Sequence, residues 1–132
     1  MDCIFCKIMK GEIPSYKIYE DEHVFAMLDI AADVEGHTLV LPKKHVLDMN
    51  EADEQTFAQV MNATKRISAH YISLGYDGIN VLTNCKAAAG QEVMHWHVHI
   101  FPRRNGDEAK IKVLHPDKQF NLEELTKKLR IN

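Results

Sequence analysis

The stretch Met-His-Trp-His-Val-His-Ile-Phe-Pro at residues 94–102 organises the whole chain. Its histidines, His95, His97 and His99, alternate with apolar side chains, and such period-two alternation is typical of a β-strand with unlike faces. The pattern predicts a strand that ends at Pro102 and projects all three imidazoles from one face. Residues two apart on a strand lie about 6.5–7 Å apart, so neighbouring imidazoles could act on one small anionic group. The alternative is a polar surface strand that happens to contain histidine.

The three histidines, followed by Ile100-Phe101, resemble the signature of the histidine-triad (HIT) superfamily. The resemblance extends to Asp29-Ile30, to the segment GHTLVLPKKH at 36–45, and to Asn84 with the segment GQEV at 90–93. Together these segments are similar to the superfamily branch of small nucleotide-binding phosphoramidases. The resemblance covers about residues 3–103, and the tail from 104 to 132 carries no recognisable motif.

The resemblance implies a role for each member of the triad. His97 would be the nucleophile that attacks the α-phosphorus of a nucleotide and forms a nucleotidyl-histidine intermediate. His99 would stabilise the charge that develops on the non-bridging oxygens, and His95 would orient the strand. The nucleotide contacts implied by the resemblance come from Asp29 at the ribose hydroxyls, Ile30 at the base, His37 near the nucleoside, and Asn84, Gly90, Gln91 and Glu92 near the phosphate.

The loop CKAAAGQE at residues 85–92 leads into the triad. Its small residues let the backbone approach a ligand closely, and its N–H groups could form a nest for phosphate oxygens; an ordinary hairpin loop is the alternative. Glu92 departs from the animal phosphoramidases, which have a serine here. An ionised Glu92 cannot donate a hydrogen bond and would repel a phosphate, whereas a protonated Glu92 could supply a proton. The leaving-group preference therefore stays open.

Cys3 and Cys6 are spaced so that one helical turn places both thiols on the same side. Two small buried residues and a thioredoxin-like redox pair are the alternatives, but a redox pair usually follows a strand, and here the cysteines precede every predicted strand. We therefore favour zinc, which needs two further ligands. The zinc-bearing bacterial-type members of the superfamily imply His45 and His95 as those ligands, in a structural site without an open position.

Length and composition point to one ordinary globular domain. The chain has 132 residues, of which 45% are apolar and 27% charged, with a net charge of −3. That charge argues against general nucleic-acid binding, and no apolar run is long enough to span a membrane. The N-terminal residues lack the pattern of a secretory signal, so we expect a cytoplasmic protein. No acidic cluster suited to magnesium is apparent, and no magnesium requirement is expected.

The remaining patterns predict an α+β fold, in which a five-stranded antiparallel sheet carries one long helix and short N- and C-terminal helices. Strands are predicted at 15–19, 23–28, 37–41 and 79–84, in addition to the triad strand. The long helix is predicted from an N-cap at Asn50 to a stop at Gly75, and the C-terminal helix from an N-cap at Asn121. We expect that last helix to pack on the body or on a second subunit. The resemblance further implies a homodimer.

The sequence thus predicts a hydrolase of purine nucleoside phosphoramidates, or of mixed anhydrides such as aminoacyl adenylates. Two alternatives remain open. One is a dinucleoside polyphosphate hydrolase that uses the same nucleophile. The other is a nucleotide-binding or zinc-dependent interaction module with little turnover.

Overall fold

The computed structural model describes residues 2–31, 34–111 and 119–131. Its elements in chain order are α1 (Ile4–Met9), β1 (Lys17–Glu20), β2 (Val24–Leu28), β3 (Thr38–Pro42), α2 (Glu54–Ser73), β4 (Gly78–Thr83), a 3₁₀ turn (Ala87–Ala89), β5 (Val98–Arg103) and α3 (Leu122–Leu129). The strands form one antiparallel sheet in the order β1-β2-β3-β5-β4. This architecture confirms the predicted α+β fold, including the long helix and the two short terminal ones.

The sheet is covered on both faces, and each face builds its own core. The apolar stripe of α2 packs on one face, where the buried side chains include Val40, Ile67 and Trp96. On the opposite face, Phe5 from α1 packs with a second set of buried strand residues that includes Met27 and Leu39. The helix α1 is too short to be stable alone, so its packing on this face of the sheet stabilises it.

The triad stretch is only partly a strand. β5 begins at Val98 rather than at Met94, so His95 and His97 precede the strand instead of lying within it. The segment before β5 is held differently, because Trp96 N–H donates to the carbonyl of Val46 at 2.8 Å. The predicted end is also wrong, since Pro102 lies inside β5. It is tolerated there because the pairing of β5 with β3 stops at Ile100, so its missing N–H removes no bond on that side.

The N-cap of α2 is Asp53, and the predicted cap at Asn50 is wrong. The Asp53 carboxylate accepts a hydrogen bond from Thr56 N–H at 2.7 Å, as an N-cap residue should. Asn50 lies in the preceding turn, which is closed by Glu51 N–H donating to the carbonyl and carboxylate of Asp48. Among the described residues, no helix has the length and apolar character that crossing a membrane requires.

The C-terminal helix begins as predicted, because Asn121 Oδ1 accepts from Glu124 N–H at 3.1 Å. Its apolar side chains are not covered by the body of this chain: Leu122 is 74% exposed and Leu129 is 68% exposed. The packing of α3 on its own domain is therefore not seen in the part of the chain that is described, and its packing on the body or on a second subunit stays a prediction.

Gly36 provides a test of how tightly the turn before β3 packs. Its φ of +80° is unfavourable for other residues, and a Cβ there would lie 3.0 Å from Pro102 Cγ. We expect Gly36→Ala to lower the free energy of unfolding by about 2–4 kcal/mol, the sum of backbone strain and overpacking. Gly106→Ala is the matched control, because its φ of +79° is nearly identical but its added Cβ meets no atom within 4 Å. Equal losses in urea denaturation of the two variants would exclude the packing component.

Candidate active site and metal cluster

A cavity of about 650 Å³ opens on the face of the sheet that carries α1. Eight of the predicted site residues line it, namely Asp29, Ile30, His37, Asn84, Gly90, Glu92, His97 and His99. Two predicted nucleotide or catalytic residues, His95 and Gln91, do not line it. The cavity therefore brings together most of the predicted residues from four separate parts of the chain.

The histidines form a continuous row of rings rather than a strand-spaced ladder. Ring centroids are 5.0 Å apart for His97 and His99, and 5.1 Å apart for His99 and His37. The edge of Phe5 contacts the His97 ring from α1, with centroids 5.1 Å apart. These distances bring the three rings of His97, His99 and His37 into direct contact along the cavity wall.

The tautomer of His97 is fixed by the backbone. Its Nδ1 lies 2.7 Å from the carbonyl oxygen of His95 and must donate to it, so Nε2 keeps the lone pair that a nucleophile needs. Burial lowers the pKa of His97, although its backbone hydrogen bond opposes that shift. Thr83 holds the same segment by donating its hydroxyl to the His97 carbonyl at 2.8 Å while it accepts from Trp96 Nε1 at 3.0 Å.

A second chain of polar side chains reaches His99 from the other side, through one hydrogen bond and one longer polar contact. His37 Nε2 lies 2.9 Å from His99 Nδ1, and His37 Nδ1 lies 3.6 Å from Asp29 Oδ2. Asp29 is itself oriented by Ala31 N–H, which donates to its Oδ1 at 2.8 Å. Along one wall of the cavity the side chains therefore follow one another as Asp29, His37, His99 and His97. Asp29 lies directly after the end of β2.

The loop between β4 and the triad engages four of its own N–H groups, so these four do not contribute to the predicted phosphate nest. The N–H groups of Ala89, Gly90 and Gln91 donate to carbonyls of Lys86 or Ala87 within the loop. The N–H of Lys86 donates to Gln91 Oε1 at 2.8 Å. These four donors are engaged within the loop and are not available to a phosphate. Asn84, Gly90 and Glu92 are the residues of this segment that line the cavity.

Gln91 holds the loop rather than facing the ligand. Its buried side chain accepts from Lys86 N–H and donates from Nε2 to the carbonyls of Leu47 and Val93 at 2.6 and 3.0 Å. The sequence predicts Gln91 near the phosphate, but its side-chain amide is bonded on both sides and its N–H donates to the Lys86 carbonyl, so neither group is available to a phosphate.

Gln91→Ala should therefore act on stability. We expect the free energy of unfolding to fall by about 1–3 kcal/mol, because the substitution leaves buried backbone groups without partners. Gln55→Ala, at an exposed position in the first turn of α2, is the control and should change stability by less than about 0.5 kcal/mol. Urea denaturation of both variants would decide, and a Gln91 variant as stable as the Gln55 variant would show that the three bonds are dispensable.

Cys3, Cys6, His45 and His95 converge as predicted, with one ligand atom from each residue within 4.8 Å of every other. The sulfur-to-nitrogen distances for Cys3–His95, Cys6–His45 and Cys6–His95 are 3.5–3.6 Å, and the two Nδ1 atoms are 3.1 Å apart. A tetrahedral zinc ion with Zn–S near 2.3 Å and Zn–N near 2.0–2.1 Å requires about 3.6 Å between sulfur and nitrogen and about 3.3 Å between nitrogens. The donor set and its spacing both fit zinc.

The surroundings of His95 also suit a metal ligand. Its Nε2 lies 2.8 Å from the carbonyl oxygen of Pro42 and donates to it, which leaves Nδ1 unprotonated and directed at the cluster. Burial lowers the pKa of His95 to about 4, so the ring is neutral at physiological pH. His95 is completely buried, and it therefore belongs to the cluster and not to the cavity wall.

Sequence reasoning missed two features of the site. The first is the wall that α1 gives to the cavity through Ile4, Phe5 and Ile8, which their helical spacing beside the cysteine pair could have indicated. The second is the ion pair between Lys86 Nζ and the buried Asp48 at 3.1 Å, whose hydrogen bond lowers the pKa of Asp48 and ties down the loop. No local pattern signals that pair, because its members are far apart in sequence.

Comparison with known proteins agrees with this geometry. The sequence profile of the HIT domain matches residues 10–106. An uncharacterised HIT-like protein of Methanocaldococcus jannaschii is 43% identical over 128 residues, which cover 97% of this chain and 98% of the relative. An adenylylsulfatase of Arabidopsis thaliana is 39% identical over 107 residues, which cover 80% of this chain and 54% of the plant protein.

A solved structure of similar fold and sequence agrees with the profile match. The histidine triad nucleotide-binding protein of Candida albicans superposes with a TM-score of 0.81 at 32% identity, and the match covers 97% of this chain and 92% of that one. The profile match spans more than half of the chain and contains the row of histidines, so this protein belongs to the HIT domain family.

Proposed function

We propose that this protein is a nucleotide-binding hydrolase that cleaves purine nucleoside phosphoramidates, or related mixed anhydrides, at the α-phosphorus. The observation that carries the proposal is the fixed tautomer of His97, whose Nδ1 donates to the His95 carbonyl in a cavity wall. Two similar proteins support a nucleotide substrate: the Candida albicans protein is named as nucleotide-binding, and the Arabidopsis thaliana protein is named as an adenylylsulfatase.

The nucleoside would lie at the Asp29 end of the cavity. A carboxylate accepts from two vicinal hydroxyls at once, which suits Asp29 for the ribose, and the 84%-exposed side chain of Ile30 offers an apolar surface to the base. His37 would contribute by holding His99 in place through their hydrogen bond. Asn84 and His99 would then contact the α-phosphate. Gly90, whose N–H is engaged within the loop, would let the backbone lie close to it because glycine carries no side chain.

Cleavage would take place in two displacements. His97 Nε2 attacks phosphorus, and the bond from phosphorus to the leaving nitrogen or oxygen breaks. An amine leaves with a proton taken from solvent, whereas the carboxylate of a mixed anhydride leaves without one. Water then attacks the nucleotidyl-histidine and gives up one proton to solvent, while the phosphorus–nitrogen bond to His97 breaks and releases the nucleoside monophosphate and the neutral ring. The His95 carbonyl accepts from Nδ1–H throughout and stabilises the positive charge that the ring acquires, and His99 stabilises the phosphate oxygens.

Cys3, Cys6, His45 and His95 would hold a structural zinc ion, which would supply a cross-link between α1 and the segment before β5. We propose no magnesium requirement. We also propose that the chain forms one domain over 1–132, with a core at about 3–103, and that it acts in the cytoplasm as a homodimer of the zinc-binding phosphoramidase branch.

A substrate comparison tests the proposal. Purified protein is mixed with adenosine 5′-phosphoramidate and, separately, with diadenosine polyphosphates, and AMP release is followed. Preferred release from the phosphoramidate is the expected result. Preferred cleavage of the polyphosphates would assign the alternative hydrolase class, and nucleotide binding without any turnover would assign the binding-module class.

The decrease of kcat/KM at low pH, its acid limb, gives an independent prediction. Because burial lowers the pKa of His97 below its usual 6.5, the nucleophile stays neutral as pH falls through 6.5 and is lost only at lower pH. We therefore expect the acid limb of kcat/KM to lie below pH 6.5. Metal content is measured at each pH, so that loss of zinc is not mistaken for protonation of His97. An acid limb at or above pH 6.5, with metal retained, would contradict this assignment.

A further inference from the structure

A second cavity of about 460 Å³ adjoins the one that contains His97. Ile4, Glu92 and Val93 line both cavities, so the two cavities adjoin at these residues, and we call this junction the passage. The second cavity continues along Leu47 and Met94 and reaches Cys3 and His45 of the metal cluster. The row of rings starts beside Asp29 and runs through His37 and His99 to His97. His97 is bonded to His95, which belongs to the metal cluster, so the second cavity lies at the end of the row that is remote from Asp29.

Within the described part of the chain, the acidic side chains at this passage and in the second cavity are not matched by lysine or arginine side chains in the lining. Glu92 is exposed, and no described residue forms an ion pair with it. Asp2 adds a second carboxylate to the far cavity, although Lys7 lies 3.0 Å from it. Among the described residues, neither cavity is lined by a lysine or an arginine. A polyphosphate leaving group would therefore meet a carboxylate and apolar side chains, without a lysine or an arginine to bind it.

We propose that the second cavity is the leaving-group subsite and that Glu92 selects a leaving group with an aliphatic body and a positively charged end. This inference rests on the proposed function, because it assigns the substituent on phosphorus. With the nucleoside at Asp29, that substituent leaves through the passage. Its aliphatic part contacts Ile4, Val93 and Met94, and its ammonium group lies near the Glu92 carboxylate. Glu92 thus determines specificity.

Three adenosine phosphoramidates of equal chain length test this subsite. One carries a linear alkyl diamine with a free ammonium end, one carries the plain alkylamine, and one carries the amino acid with a carboxylate end. We expect kcat/KM to rank cationic above neutral above anionic, with steps of about two- to fivefold, as for an exposed ion pair. Raising the ionic strength should compress the series, since salt screens such a pair.

Two variants separate electrostatics from packing. Glu92→Gln keeps the shape and should bring the cationic and anionic substrates to within about twofold of each other, and Glu92→Lys should reverse their order. Glu22→Gln, in the exposed turn before β2, makes the same change in charge away from both cavities and should leave the series intact. A series that survives Glu92→Gln, or a preference of the wild type for the anionic substrate, would overturn the inference.

If the proposed function is wrong, and not the subsite, the wild type cleaves none of the three compounds. Their dissociation constants for the His97→Ala variant, with and without Glu92→Gln, then decide the inference alone. Binding that ranks cationic above anionic, and loses this order on Glu92→Gln, supports the subsite without the chemistry, whereas equal binding of all three overturns it.

Discussion

Replacing His97 by alanine is expected to lower kcat/KM for adenosine 5′-phosphoramidate by about 10⁴-fold or more, the usual consequence of removing a covalent nucleophile. No other described imidazole has the same position, because His99 Nδ1 faces His37 and His95 is buried in the metal cluster. Nucleotide affinity should change little, since the contacts proposed for ribose and base lie at Asp29 and Ile30. AMP release and equilibrium binding are measured on the same preparation.

His70→Ala is the matched control for this variant. His70 is an exposed histidine near the end of α2, outside both cavities, and its removal should leave turnover at the wild-type rate. Substantial AMP release by His97→Ala would remove His97 from the nucleophile role. Loss of turnover together with loss of folding, seen by circular dichroism, would instead require the same test with His97→Gln.

Replacing Cys6 by alanine is expected to have the largest effect on stability. Metal analysis should find about one zinc ion per wild-type chain and little in the variant, because one of the four ligands is lost. The free energy of unfolding should fall by more than about 3 kcal/mol, since binding energy at a structural zinc site is folding energy. Cys85→Ala is the control, as Cys85 is a free cysteine outside the cluster.

The same variant should also disturb the nucleotide cavity. Cys3 and Cys6 flank Ile4 and Phe5, which line that cavity, and Phe5 contacts the rings of both His95 and His97. Without the metal, α1 keeps only its packing, so its amide hydrogens should exchange faster and nucleotide affinity should fall. Wild-type metal content and wild-type exchange in Cys6→Ala would show that the cluster does not hold zinc.

The sequence predicts the sheet, the long helix and the convergence of the site because each rests on a strong local signal or a specific motif. The periodicity of α2 and the apolar runs of β2 and β3 place these elements within a few residues. The errors occur where tertiary contacts override local patterns. His95 alternates like a strand residue, yet its place is set by Cys3, Cys6, His45 and the Pro42 carbonyl.

Other errors have the same origin. Asn50 and Asp53 are both good N-cap residues, and only the turn closed on Asp48 decides between them. Gln91 lies in the segment that resembles a phosphate-binding loop, yet its amide bonds to Leu47, a contact far along the chain that no local pattern contains. The cavity beside Glu92 likewise depends on distant segments meeting, so its charge could be judged only in the folded chain.

The stereochemical course at phosphorus tests the central proposal, attack by His97, most directly. An adenosine phosphoramidate made chiral at the α-phosphorus with oxygen isotopes is hydrolysed in isotopically labelled water, and the configuration of the AMP is determined by NMR. Attack by His97 followed by attack by water inverts the centre twice, so the proposal predicts net retention. Net inversion would mean that water attacks the substrate in a single step, and it would contradict the nucleotidyl-histidine intermediate.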